Sequence, residues 1–171
     1  MANVDNPKGA YPVGHLTGGQ IRTRSYLVVA SATIYKGDLL ELDADGTVSV
    51  AEAGDATTVI GVAAEYKVGN SSGTTPIQVY DDPNIIFGMQ QATGGTVAQV
   101  DVGLSADHVA GAGSATTKLS GHEVSGTVAT TAAQFMIIGK IDEPNNAFGE
   151  HCDLLVIFNE HRYKGAGSAG V

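Results

Sequence analysis

From Tyr26 onward, apolar residues come in short runs rich in Val, Ile, Thr and Tyr, separated by clusters of Gly, Asp, Asn and Ser. This pattern is typical of β-strands joined by turns, and no stretch sustains the spacing of an ordinary helix. Two short segments, 104–109 and 129–134, could each form a turn or two of helix after a Ser or Thr cap. Strands are predicted at 26–32, 37–42, 47–50, 58–65, 75–80, 84–89, 96–101, 122–128, 134–142 and 153–159.

The sharpest local signal lies between residues 43 and 46, where the letters Asp-Ala-Asp-Gly separate the alternating runs LLEL and TVSV. A tight hairpin needs this kind of turn, and Gly46 can adopt the positive φ that such turns contain. We therefore predict a β-hairpin here. The same letters resemble the start of a calcium loop, but Gly54 stands where that loop requires Glu, so the hairpin is favoured.

Many short strands at intervals of about ten residues favour an all-β fold over a parallel α/β sheet. We predict a compact antiparallel β-barrel or β-sandwich in a single domain over residues 26–164. Residues 1–25, which contain two Pro and four Gly, are predicted to form an extended N-terminal arm. Residues 165–171 read as a short flexible Gly/Ala/Ser tail.

Composition narrows the function classes. The net charge is −9, and between residues 37 and 117 eleven acidic residues accompany a single basic one, Lys67. Such a field disfavours non-specific binding to nucleic acid or to an anionic membrane. No apolar run approaches the ~20 residues of a membrane helix, and the polar start has no signal-peptide character. The one cysteine, Cys152, excludes an intramolecular disulfide and argues against a structural zinc site.

Several motifs have the letters of a reactive site without its context. Residues 69–73 match the nucleophile elbow G-x-S-x-G, but Thr75 and Pro76 favour an extended exit where the elbow needs a helix. Residues 165–170 match the dinucleotide pattern G-x-G-x-x-G, yet no strand and helix flank them. We interpret the first as a surface loop and the second as tail.

Two polar clusters are also interpreted as ordinary structure. Asp81 and Asp82 precede Pro83, and side chains at adjacent extended positions point to opposite faces, so a turn ordered by Asp82 is favoured. Residues 150–153 (Glu-His-Cys-Asp) are the only mixed cluster with ligand chemistry, and we interpret them as solvated residues leading into the last strand. We predict no catalytic residue, no cofactor and no metal.

Three stretches resemble structural proteins of tailed phages. Residues 2–19 (ANVDNPKGAYPVGHLTGG) are similar to an Asn/Pro/Gly leader that runs into a P-V-x-H-L-x-G-G phrase. Residues 35–66 are similar to the K-G-D-x-L-x-L … G-x-V … A-x-x-G-D … x-I-G-V-A pattern of capsid decoration, or cement, proteins of double-stranded DNA phages. Residues 77–92 (IQVYDDPNIIFGMQQA) resemble the V-x-V-Y-D-D-P-x-x-x-F-x-x-Q segment of the same group.

The resemblance implies a protein on the outer surface of the virion head. Such a protein binds the expanded capsid and clamps neighbouring copies of the major capsid protein, often as a trimer. In the arm, apolar side chains would dock and the Arg pair would meet capsid carboxylates. Candidate contact residues are Tyr11, Pro12, Val13, His15, Leu16, Ile21, Arg22 and Arg24. A second set, for a subunit contact, is Tyr80, Asp81, Asp82, Pro83, Asn84 and Phe87.

Alternatives remain open from the sequence. The arm can instead be a first strand folded on its own body, and the second set can be a packed internal turn. A different virion part, such as a head completion or tail tube protein, is a structural alternative. A carbohydrate-binding or receptor-binding β module would need exposed aromatic platforms, and the chain has no Trp and few other aromatic residues. A small hydrolase would rest on Ser71 alone.

Overall fold

The computed structural model describes residues 3–54 and 59–164. Nearly all of its regular structure is β, as predicted, and a single 3-10 turn is formed by Gln99–Asp101. The strands are β1 (Tyr11–His15), β2 (Arg24–Val28), β3 (Thr33–Ile34), β4 (Leu39–Leu42), β5 (Thr47–Val50), β6 (Val59–Ala63), β7 (Lys67–Val68), β8 (Thr75–Tyr80), β9 (Ile85–Gln90), β10 (Ser105–Val109), β11 (Glu123–Ala129), β12 (Phe135–Lys140) and β13 (Asp153–Phe158).

Five strands close a barrel in the order β2-β5-β4-β6-β8. The predicted barrel is confirmed, and its pairs are antiparallel except for β2 with β5, which run parallel. The predicted hairpin is β4 and β5, with Leu42 opposite Val48. Gly46 has a φ of 85°, and the backbone N–H of Asp43 donates to the carbonyl of Thr47 at 2.9 Å.

Six further strands form an antiparallel sheet in the order β1-β9-β13-β12-β10-β11. This sheet and the barrel share one apolar core, while a second core fills the barrel. Neighbouring residues of β4 show the division, since Leu39 belongs to the shared core and Leu40 to the barrel interior. Successive side chains of a strand point to opposite faces, so a strand buried on both faces is apolar throughout. β6 (VIGVA) is of this kind.

The N-terminal segment is extended and lies on its own body. Tyr11–His15 pairs with β9 in an antiparallel register, with a bulge between Pro12 and Gly14. β2 begins at Arg24, so the last two residues of the predicted arm already belong to the barrel. Of the possibilities left open for the arm, a first strand folded on its own body therefore holds for residues 11–15. This strand, β1, forms one edge of the six-stranded sheet.

Three local predictions are wrong. Residues 96–101 form no strand, because the Asp101 carboxylate accepts the Ala98 N–H at 2.7 Å and closes a turn. Residues 105–109 form β10 instead of a helical turn, with Ala106 and His108 buried and Asp107 exposed between them. Residues 130–134 form bends between β11 and β12. The tail predicted at 165–171 lies outside the described residues.

Candidate functional site

A compact turn wraps around the ring of His15, directly after β1. The Nδ1 atom of His15 accepts the backbone N–H groups of Thr17 at 3.3 Å and Gly19 at 3.2 Å. An imidazole that accepts through Nδ1 carries its proton on Nε2 when neutral. Gly18 has a φ of 73°, and a Cβ at Gly19 would press on the His15 ring. The letters H-L-T-G-G therefore encode a histidine-centred turn.

This turn is attached to the loop between β8 and β9. His15 Nε2 lies 3.0 Å from Asp82 Oδ2, and the Leu16 N–H donates to the Asn84 carbonyl at 2.9 Å. The His15 hydrogen bond is the main cause of a lowered pKa at Asp82, and the Asn84 N–H adds to it. The structure thus brings together the two sets of residues that sequence analysis placed in separate contacts.

A second group of contacts lies beside the first. The Arg24 Nε atom is 3.1 Å from Asp81 Oδ2, and the Tyr26 hydroxyl donates to the same oxygen at 2.7 Å. The Tyr163 hydroxyl is 2.9 Å from that of Tyr26, and the Arg24 guanidinium stands 5.7 Å from the Tyr163 ring centre. Burial and these hydrogen bonds raise the pKa of Tyr26. Asp81 is buried, and Arg24 and Tyr26 are the partners of its carboxylate oxygen.

We call residues 13–24, residues 81–84 and Tyr163 the arm–loop surface. An open cleft within it is lined by Arg22, Thr23, Arg24, Asp81, Asp82, Pro83 and Tyr163. Three large apolar side chains of this segment are exposed, namely Val13, Leu16 and Ile21, at 48%, 49% and 38%. Exposed apolar side chains rimmed by polar groups are typical of protein-binding surfaces. The geometry suits contact with another protein.

Not every predicted contact residue lies on this surface. Phe87 is fully buried in the shared core and packs edge-on against Phe158 at 5.4 Å, so it is removed from the candidate contacts. Tyr80 packs partly against the same core. Tyr11 and Pro12 are half-buried in β1, and burial raises the pKa of Tyr11 to about 12.

The motifs at residues 69–73 and 81–84 form turns. Asn70 holds the loop at 69–73, because its Oδ1 accepts the N–H groups of Ser72 and Thr74. β8 follows this loop, which confirms the extended exit. The Asp82 carboxylate accepts the Asn84 N–H at 2.8 Å, so the predicted aspartate-ordered turn is also confirmed.

The cluster at 150–153 differs from its interpretation as solvated residues. Cys152 is fully buried, and burial raises the pKa of its thiol to about 11. The His151 side chain is 15% exposed and has a φ of 58°. Asp153 opens β13, as expected for residues that lead into the last strand.

Sequence reasoning missed Tyr26 and Tyr163 as parts of the surface. They are 137 residues apart, and no local pattern relates them. It also missed the grouping of Asp5, Glu123 and His151, whose ligand atoms lie within 4.8 Å of one another. Only the fold brings such residues together.

No protein-family model matches the chain, and a comparison with curated proteins gives no significant match. Among the described residues, no helix has the length and apolar character needed to cross a bilayer. By its fold, the protein belongs to the all-β class and has a closed five-stranded barrel joined to a six-stranded sheet.

Proposed function

We propose that this chain is a decoration, or cement, protein of a tailed double-stranded DNA phage. It binds the outer surface of the expanded head and clamps adjacent copies of the major capsid protein. Two of the three stretches that resemble this group, residues 2–19 and residues 77–92, meet at the arm–loop surface through His15 and Asp82. This meeting is the observation that carries the proposal.

The arm–loop surface suits a clamp because it is both apolar and held in place. Leu16 is exposed while its backbone N–H is bound to the loop between β8 and β9. A binding segment that is ordered before contact loses less conformational entropy on association. A few apolar anchors in an ordered segment can therefore provide most of the binding energy.

Charge supports the same contact. Arg22 is exposed, and the Arg24 side chain is 64% exposed although it pairs with Asp81. Arginine forms bidentate pairs with carboxylates, so both residues can meet acidic groups on a partner.

The mechanism is thermodynamic. A protein that binds only the expanded lattice stabilises that lattice by mass action against rupture by the packaged DNA. Binding as a trimer would multiply the effect, because each bound subunit raises the effective concentration of the next. The major capsid protein is the proposed partner, and the virion surface the proposed location.

The test mixes the purified protein with undecorated expanded heads and, separately, with unexpanded procapsids, and measures co-sedimentation. We expect retention by expanded heads alone, and retention by neither particle would refute the proposal. Sedimentation velocity of the free protein adds a discriminating measurement. A trimer is expected, whereas rings or long polymers would favour a tail tube protein.

A further inference from the structure

Residues 3–6 lie against the end of β9 and against the loop that precedes β13. The Asn3 side-chain amide donates to the carbonyls of Ala147 and Glu150, both at 2.8 Å. The Gln90 amide donates to the Val4 carbonyl at 3.1 Å. These bonds hold the chain on the N-terminal side of Asp5 against the body of the protein.

Three potential ligands from distant parts of the sequence converge there. Asp5 comes from the N-terminal segment, Glu123 is the first residue of β11, and His151 stands two residues before β13. Their ligand atoms all lie within 4.8 Å of one another, and His151 Nδ1 is 3.9 Å from Asp5 Oδ1. This last separation is too long for a hydrogen bond.

Two of the three groups have unmet bonding capacity. Glu123 Oε1 and His151 Nδ1 are both shielded from solvent, and neither has a hydrogen-bond partner among the described residues. A buried polar atom without a partner is costly, and a native structure normally compensates for it. Burial and the nearby charge of Asp5 raise the pKa of Glu123, so a cation between the two carboxylates would relieve both effects.

We propose that Asp5, Glu123 and His151 form a binding site for a divalent transition-metal ion of the zinc type. One imidazole nitrogen and two carboxylate oxygens are ligands that Zn²⁺ accepts, at roughly 2.0 to 2.2 Å. Ca²⁺ is disfavoured because it takes six to eight oxygen ligands, and Mg²⁺ because it keeps most of its waters. Asp5 is exposed, so water can complete the coordination.

The bound ion would join three segments. It would fix the N-terminal segment to the start of β11 and to the chain that enters β13. The single cysteine argued against a structural zinc site, and no metal was predicted from the sequence. The proposed site departs from that prediction because none of its ligands is a cysteine. The role is structural, and it does not depend on capsid binding.

The test uses full-length protein freed of metal with a chelator. Isothermal titration with ZnCl₂ at neutral pH should show one strong site per chain, with little heat from CaCl₂ or MgCl₂. Asp5→Asn should weaken Zn²⁺ binding by at least about tenfold, since even indirect supports of a metal site contribute that much. Asp5 is exposed, so this variant should fold normally.

Asp142→Asn is the matched control, because Asp142 is an exposed acid outside the cluster. It should bind Zn²⁺ like the natural sequence. His151→Asn should lose the strong site, and Asn tolerates the positive φ at that position. Absence of a one-to-one site, or equal Zn²⁺ affinity in Asp5→Asn and Asp142→Asn, overturns the proposal.

Discussion

The Nε2 atom of His15 lies 3.0 Å from the Oδ2 atom of Asp82, although 67 residues separate them. Nδ1 of the same ring accepts backbone N–H groups of the following turn, so one imidazole organises its own segment and joins it to another. The exposed residues on either side of His15 therefore keep a fixed position relative to the barrel.

We expect Asp82→Asn to weaken this attachment in a pH-dependent way. The pKa of Asp82 is lowered from about 3.8, so its contribution to the free energy of unfolding is present above that pH and is lost as the pH falls through the lower native pKa. The side chain is 38% exposed, and solvent screening limits the effect to below about 1 kcal/mol. Urea unfolding at pH 6 and at pH 2.5 measures it.

The difference in the free energy of unfolding between Asp82→Asn and the natural sequence should be detectable at pH 6 and should be smaller at pH 2.5. Asp107→Asn, on an exposed position of β10, serves as the control. A difference that grows toward low pH would contradict the assigned sign.

Local patterns predicted the parts of the fold that depend on neighbouring residues. The hairpin at 43–46 needs only alternation on both sides and a glycine with positive φ, and both are visible in the letters. The strand β10 was missed because Ser105 and Ala106 are small and give little hydrophobic contrast, although both are buried. β1 was offered only as an alternative to a docking arm, and its pairing is irregular, with a bulge between Pro12 and Gly14.

The candidate site was predictable only in part. The residues around His15 and Asp82 were found through short phrases, yet their meeting is a tertiary contact that spacing along the chain cannot show. Phe87 was assigned to the surface because the alternation of β9 does not reveal which face meets the barrel. The same limit hid Tyr163 and the group around His151.

A second prediction concerns the close approach of β6 to the end of β8 in the wall of the barrel. A Cβ at Gly61 would press on the backbone of Tyr80 and lie 3.0 Å from the Cα atom of Asp81. Backbone atoms of a paired strand cannot shift without straining the sheet, so Gly61→Ala should reduce the free energy of unfolding by about 1 to 3 kcal/mol. Gly139→Ala is the matched control, because no atom lies within 4 Å of its Cβ position. Equal urea midpoints for the two variants would contradict the close approach.

The proposed clamp predicts a specific loss of binding. Leu16→Glu replaces an exposed apolar side chain of the arm–loop surface with a charge, so the fold should persist while affinity for expanded heads falls by roughly 30-fold or more. Val100→Glu changes an exposed valine, at 82%, outside that surface and should bind normally. Truncating residues 1–25 is a poorer test, since it would remove β1 and the start of β2. Unchanged affinity of Leu16→Glu would place the contact elsewhere.

Cys152 gives a probe of the native core. Its side chain is fully buried and the pKa of its thiol is raised to about 11, so both access and thiolate population are low at pH 8. Because only the thiolate reacts, modification by a disulfide reagent should be about 100-fold or more slower in the native protein than in denaturant. Stopped-flow absorbance measures both rates, and comparable rates would show that this part of the sheet opens readily.

A buried histidine should make the protein less stable in mild acid. His122 is 2% exposed, and burial, followed by the nearby charge of His108, lowers its pKa from 6.5 to about 3. Below pH 6.5 the unfolded chain binds a proton at this residue and the native protein does not, so the free energy of unfolding falls as the pH is lowered. The slope approaches about 1.4 kcal/mol per pH unit.

Asp38, the neighbour of His122, acts in the opposite direction. Burial raises the pKa of Asp38 above 3.8, so between the unfolded and the native pKa the native protein keeps a proton that the unfolded chain has released. The free energy of unfolding gained in this way is lost as the pH rises. The test of His122 therefore compares two proteins that both keep Asp38, between pH 5 and pH 6.5, with a chelator present so that metal binding does not contribute. Gln at position 122 can still accept the Leu39 N–H, which His122 Nδ1 now accepts at 3.3 Å. Urea unfolding of His122→Gln should show a shallower pH dependence than the natural sequence, and parallel curves would mean that His122 does not stay neutral in the native protein.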